Sequence, residues 1–406
     1  MKILELHVQG FRSLKDITWK PGDLNVIIGP NGSGKSNLLR ILELISVSAQ
    51  GGLGKHVQSQ GGISPLLWDG QATEISWKLE TTSIEAQIKR RAEQTNGCFT
   101  YMAAITRIGN SSAYRIEREL MTSPGPIKPT DEIQPNILLE RKGHQARACY
   151  EGGNGFASSK EPLSDEETLL SSITAPLFEG LFIDKRISMY RRATAGWTIY
   201  PILYVGQDSP IRQAPVARLE KRVDPDGQNL ISVLHTLYTG DRDFKREINA
   251  AMNAAFGDDF EELVFPPAAD QRIQLRLRWK SLKREQSAAD ISDGTLRFLF
   301  LLTVLASPDP APLIAIDELE VGLHPSMLPI VAEYAVAAAQ RSQVILTTHS
   351  PQFLDAFKPE TLTTTVALWQ NGQTVLKVLS DQTLQEWLKG YSLGSLFKSG
   401  ELESLV

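Results

Sequence analysis

Gly29-Pro30-Asn31-Gly32-Ser33-Gly34-Lys35-Ser36 is the stretch on which the fold turns. It satisfies the pattern G-x-x-x-x-G-K-[ST], and its surroundings are those the pattern needs. Leu24 to Ile28 before it is nearly all apolar, as a strand buried on both faces is, and Leu38, Leu39, Leu42 and Ile45 after it recur at helical spacing. A glycine-rich loop between strand and helix lets the backbone wrap an anion, with its N–H groups and the positive end of the helix facing the charge. The expected ligand is ATP with Mg²⁺: Lys35 bridges the β and γ phosphates, Ser36 ligates the metal through its hydroxyl, and Gly29 to Ser36 with the adjoining Asn37 line the phosphates. An incidental lysine in a glycine-rich turn is the alternative, and the full match between both flanking elements argues against it.

Two further strand ends carry chemistry. Leu313-Ile314-Ala315-Ile316 runs into Asp317-Glu318, which places Asp317 to hold the magnesium water shell and Glu318 to orient an attacking water. Two acids after a strand are also an ordinary solvated turn, and it is the upstream loop that favours the catalytic reading. Thr347-Thr348-His349-Ser350-Pro351 ends the next strand, and a helix from about Ser326 to Gln340 joins the two into a βαβ unit. Neighbouring parallel strands deliver their C-terminal tips to one crevice, so His349 is assigned γ-phosphate sensing rather than a surface role. Finally, Ser292-Asp293-Gly294 opens an apolar helix. Blandly it is an N-cap, but a helix start supplied by a partner subunit also closes over a phosphate.

Together these motifs resemble the ABC-type ATPases of the RecF, SMC and OLD lineage over most of the chain. The start HVQGFRSLKDITW looks like their first strand with its Phe-Arg-Ser element, while VDPDGQNLISVLHTL and WLKGYSLGSLFKSGEL look like stand-alone RecF-like ATPases, often labelled AAA-family. The resemblance implies an α/β P-loop NTPase of the ABC-ATPase head type, with a mixed sheet, an antiparallel β lobe and a mainly helical insertion. It also implies that Ser292, Asp293 and Gly294 act in trans in an ATP-dependent homodimer, and that Arg12 and Ser13 lie near the nucleotide. The chain departs from the ABC pattern in reading SDG for SGG and in carrying His324 where transporters have Asp. Gln71 and Gln207 are both candidates for the Q-loop, although an ordinary surface glutamine is the favoured reading of each.

Outward from the motifs, 1–120 reads as an N-terminal lobe with the loop and antiparallel strands at Glu74 to Leu79, Phe99 to Ile108 and Ala113 to Leu120. Residues 48 to 64, rich in Gly, Ser and Gln, read as a mobile loop. A Pro/Ser/Thr-rich boundary at 121 to 136 opens an insertion, 121–270, with helical spacing dominant beyond about 160, and 271–406 forms the C-terminal lobe with the signature turn, acidic pair and histidine. Asp224-Pro225-Asp226-Gly227 reads as a turn rather than a metal loop, since the later ligands of such a loop are missing.

A net charge of -5 gives no overall basic field, so any DNA contact has to come from a local patch. One exists on Arg272, Gln274, Arg276, Arg278 and Lys280, extended by Lys283 and Arg284; it reads as a solvated sheet face or as a phosphate-backbone contact. Cys98 and Cys149 lack metal-ligand spacing and fit free thiols in a reducing compartment. The start MKILELHVQGF has no leader pattern and no apolar run is long enough to span a bilayer, so a cytoplasmic protein without membrane contact is expected. Two functions follow: an ATP-driven dimerisation switch acting on DNA in repair, recombination or anti-phage defence, or a regulatory ATPase that gates a separate effector protein. A transporter motor keeps SGG, and Ser350 to Val406 is too short for the metal-dependent domain that OLD enzymes append, so neither is expected.

Overall fold

The computed structural model describes residues 1–82, 98–124, 135–151, 155–159, 162–173, 176–178, 181–358, 361–379 and 390–404. The chain divides into two compact units. The first comprises Met1–Gly22, Gly29–Trp197 and Thr365–Val378; the second Asp23–Ile28, Thr198–Thr364 and Leu379–Val406. In chain order the strands begin β1 (Ile3–Phe11), β2 (Leu14–Trp19), β3 (Leu24–Ile28), β4 (Glu74–Thr81), β5 (Phe99–Arg107), β6 (Tyr114–Ser123), β7 (Asn136–Lys142), β8 (Gln145–Cys149) and β9 (Phe156–Ser158). All of these except β3 form one antiparallel sheet of the first unit, ordered β2-β1-β4-β5-β6-β7-β8-β9.

Period-two alternation drives this sheet. Ile75, Trp77 and Leu79 of β4 are buried and paired across to Ile105, Ala103 and Tyr101 of β5. Helix α1 (Lys35–Gln50) buries Leu38, Leu42 and Ile45 on its core side and stops at Gly51, whose φ of 83° supplies the left-handed cap. Helix α2 (Leu53–Ser59) follows at once, so most of 48 to 64 is not a mobile loop. Leu53 and Val57, one turn apart, are both buried, and Glu167 accepts the N–H groups of Leu53 and Gly54 at the helix start.

The antiparallel sheet also continues past residue 120, into the first part of the insertion read at 121–270. Lys142-Gly143-His144 closes a tight hairpin at Gly143, φ 56°, between β7 and β8, and helices begin only at Leu169. Of the boundary at 121 to 136, residues 125–134 lie outside the described residues. Two buried charges tie the sheet to the segment that follows. Glu119 accepts from the N–H groups of Leu169 and Leu170 and from the Tyr101 hydroxyl, and Arg141 donates to the carbonyls of Gly143, Ser164 and Glu167.

The strands of the second unit continue the count: β10 (Thr198–Tyr200), β11 (Phe260–Val264), β12 (Pro267–Ala268), β13 (Arg272–Ile273), β14 (Arg276–Trp279), β15 (Gln286–Ser287), β16 (Leu313–Ile316) and β17 (Gln343–Thr347). Four parallel strands, β10-β16-β17-β3, are buried along most of their length, and the helix Leu328–Ala339 crosses from β16 to β17. Leu230–Gly240, Arg242–Phe256 and Asp293–Leu305 supply further helices, and β11-β14-β15 make a small antiparallel sheet. The expected strand Ile273 to Trp279 is divided between two sheets, Arg272–Ile273 pairing with β12 and Arg276–Trp279 with β11 and β15, yet Ile273, Leu275 and Leu277 all remain buried. The 224–227 turn closes through the Gly227 N–H to the Asp224 carbonyl, 2.8 Å. The last strands, β18 (Thr363–Gln370) and β19 (Gln373–Val378), pair as a hairpin from Thr365 onward, within the first unit.

Candidate nucleotide loop, strand tips and signature turn

The glycine-rich loop takes backbone angles that side chains resist: φ is 142° at Gly29, 79° at Gly32 and 100° at Gly34. Packing demands glycine as well, because a Cβ at Gly34 would stand 1.9 Å from the Thr374 hydroxyl and one at Gly29 would stand 2.1 Å from the Ala367 carbonyl. Thr374, on β19, donates to the Ser33 carbonyl and to the Ser13 hydroxyl, and Asn37 donates to Ser13 in turn, so β19 and the turn after β1 brace the loop from below. Lys35 is buried and reaches back along the loop to the carbonyls of Gly29 (2.8 Å) and Pro30 (2.9 Å). Two features fit a phosphate group here: the open space at Gly32 and the buried Ser33 hydroxyl without a hydrogen-bond partner, both beside the start of α1. Arg12 is turned elsewhere. Its guanidinium donates to Gln60 at 2.8 Å and its N–H to the Leu66 carbonyl, so Ser13 is the member of the Arg12-Ser13 pair that touches the loop.

In the second unit β16 and β17 end side by side. Thr347, fully buried, donates to Asp317 at 2.6 Å and accepts the Glu318 N–H at 2.8 Å, fixing both acids through one hydroxyl. Glu318 has φ 46°, a left-handed conformation that costs a non-glycine residue of order 1–3 kcal/mol and is held here by that network. The N–H of His349 donates to Glu320 at 2.5 Å, while the second Glu320 oxygen is buried without a partner. The Thr348 N–H meets the carbonyl of Ile27, so β3 reaches the same edge, and the glycine loop begins one residue after β3 ends. Hard oxygen donors such as the Ser36 hydroxyl and the Asp317 carboxylate are the chemistry a magnesium ion takes. Neither Thr347 nor Glu320 was assigned a part from the sequence; the only signal was a polar residue, Thr347, closing an otherwise apolar strand.

The signature turn is a true N-cap: Ser292 accepts the Thr295 N–H and opens the helix Asp293–Leu305. Gly294 is demanded by packing, since a Cβ there would stand 2.6 Å from the Gly322 carbonyl in the loop that follows the acidic pair. His324 caps the short turn Pro325–Met327 through its ring nitrogen, a local structural duty. Gln71 and Gln207 are both exposed. On the basic strand, Arg278 pairs with Glu262 and Glu285, Arg276 lies 3.6 Å from Glu285, and Arg272 donates to the Ala214 carbonyl. Both cysteines are free, and no described helix is long and apolar enough to cross a membrane.

Loop, acidic strand tip and parallel sheet define a P-loop protein with the mixed architecture of an ABC-ATPase head. Comparison with known proteins agrees: a family model described as "AAA domain, putative AbiEii toxin, Type IV TA system" matches residues 194–355, and one described as "AAA ATPase domain" matches 1–96. An SMC head solved with the C-terminal winged-helix domain of ScpA superposes with a TM-score of 0.54 at 15% identity, over 95% of this chain and all of that one. A second SMC head, with an extended coiled coil and bound to the C-terminal domain of ScpA, derived from Pyrococcus furiosus, gives 0.50 at 13% identity, over 95% and 98%. The OLD nuclease of Thermus scotoductus is 21% identical over 365 residues; the match takes in 88% of this chain, which spans 60% of that relative's length. The fold is thus that of an ABC-ATPase head of the SMC type, and the sequence is similar to AAA ATPase models and to an OLD nuclease.

Proposed function

We propose that the protein binds and hydrolyses ATP with Mg²⁺ and that ATP drives two copies together, each lending its signature turn to the other's nucleotide. The observation that carries this reading is the edge at which β16 and β17 present Asp317, Glu318 and His349 next to β3, whose chain runs directly into the glycine loop. In it Lys35 and His349 neutralise the γ phosphate and Glu318 orients water. Ser36 and Asp317 would hold a magnesium ion, which would supply charge neutralisation for the phosphates. Ser292, Asp293 and Gly294 close the site from the partner subunit, and Arg12 lies at its margin. The two thiols suit a cytoplasmic setting.

Replacing Glu318 by Gln keeps its size and removes its charge, so hydrolysis stalls while closure persists. With ATP this variant should run as a stable dimer in light scattering, and wild type should do so only transiently. A Glu318→Gln form that stays monomeric under saturating ATP overturns the arrangement. As output we favour action on DNA, supported by the relative named a nuclease; a partner effector is the second reading, supported by the acidic charge and by the ion pairs that occupy Arg276 and Arg278.

A further inference from the structure

The signature turn is held from within its own unit by a residue lying far from it in sequence. Arg212 ends the short turn Pro210–Arg212 and its side chain is only 5% exposed. Its Nε donates to the Val205 carbonyl at 2.8 Å, and its Nη1 to the carbonyls of Ala288 (3.0 Å) and Ile291 (2.6 Å). Its Nη2 meets the carboxylate of Asp293. A planar fork of N–H donors is thereby distributed over the segment that leads into the signature helix, a geometry open to arginine but closed to lysine with its single nitrogen. Asp293 stands differently: its side chain is 64% exposed, and its carboxylate is the counter-charge for an otherwise buried cation. Ser292, one residue earlier, therefore points its hydroxyl from a backbone fixed on both sides, by Arg212 at Ile291 and Asp293 and by Gly322 against Gly294.

We propose that Arg212 is a positioning residue that sets the signature turn for the partner's nucleotide, and that Asp293 is its anchor rather than a phosphate ligand. This rests on the proposed trans site. It also gives a physical reason for the SDG departure: the middle position carries an acid because a buried guanidinium needs one.

The test uses the full-length protein. Arg212→Ala should bind ATP as monomer with the wild-type dissociation constant, because its own glycine loop is untouched. Its kcat should fall about 100-fold, the cost of misplacing a catalytic element by about an ångström. Arg212→Lys should not rescue it, and Asp293→Asn, which keeps the side chain's size and removes the counter-charge, should lower kcat in the same sense with KM unchanged. Mixing discriminates further. Lys35→Ala has a broken loop and a sound signature turn, so heterodimers with Arg212→Ala contain one competent site. An equimolar mixture should recover about a quarter of the wild-type rate, the share expected when half the dimers carry one good site of two. Ser292→Glu mixed with Lys35→Ala is the control. Recovery with Ser292→Glu but not with Arg212→Ala, or wild-type kcat in either Arg212→Ala or Asp293→Asn, overturns the inference. Failure of both mixtures overturns the trans site instead.

Discussion

Thr347 joins the acidic pair to the neighbouring strand with one hydroxyl, and Gly34 shows the complementary constraint, a place where no side-chain atom fits at all. At Gly34 the φ of 100° and the 1.9 Å approach of Thr374 act together. Gly34→Ala should therefore destabilise the protein by about 1–3 kcal/mol from backbone strain alone, with the clash in addition. In urea unfolding the midpoint should drop, and fluorescent-ATP titration should show binding lost. A variant that binds normally would mean that the loop has slack its packing denies. The placement of the loop, the acidic pair and His349 at strand ends was legible in the sequence because each closes or follows a strand with a recognisable pattern. Arg212, Thr374 and Glu320 were not, because their parts depend on which chain segments meet in space, and an arginine in an irregular stretch carries no periodic signal.

Elements were legible where one period dominated. β4 alternates cleanly, β5 and β6 do so apart from a register shift at Ala104 and Ile105, and α1 extended five residues past its expected end because Ser46, Ser48 and Ala49 are small enough to bury. β7 and β8 were hidden by the Pro- and Ser-rich run before them, and α2 by its glycine and glutamine content, although Leu53 and Val57 carry its pattern. What binds β6 to the segment after β9 is the buried Glu119. Burial outweighs the two N–H groups and the hydroxyl it accepts, and holds its carboxyl above the ordinary 4.5. A carboxyl with a raised folded pKa binds its proton more tightly folded than unfolded. Its contribution to stability is thus full below the unfolded value and is lost as pH rises through the folded one. Glu119→Gln removes that titration, so in urea unfolding the stability of the variant relative to wild type should rise as pH climbs above 4.5 and then level off. Glu119→Ala should be less stable than Glu119→Gln by about 2–4 kcal/mol at every pH, since it strands two backbone donors and the Tyr101 hydroxyl. A gap between Gln variant and wild type that stays constant with pH would show that the carboxyl titrates alike folded and unfolded.

At the scale of the whole molecule, charge decides how the target of the proposed ATP-driven dimer is tested. The chain carries a net -5, and two arginines of the basic strand are paired locally: Arg278 sits 2.5 Å from Glu262 and 2.7 Å from Glu285, and Arg276 shares Glu285. Those guanidiniums would have to leave a carboxylate before meeting a phosphate, so the strand is a poor electrostatic contact even though its sequence reads as one. Sequence pattern could place the arginines on one face; it could not place Glu262 and Glu285 opposite them, because β11 and the turn before β15 are brought there by the fold. Each phosphate a protein neutralises contributes about 0.9 to the slope of log affinity against log salt. If DNA binds elsewhere on the closed dimer, the double variant Arg276→Ala, Arg278→Ala should leave that slope unchanged in a titration of the ATP-bound Glu318→Gln form. If the strand is the contact after all, the slope should fall by about 2. Affinity that is equal with and without ATP removes DNA as the thing switched, and leaves a partner protein as the output on which ATP closure acts.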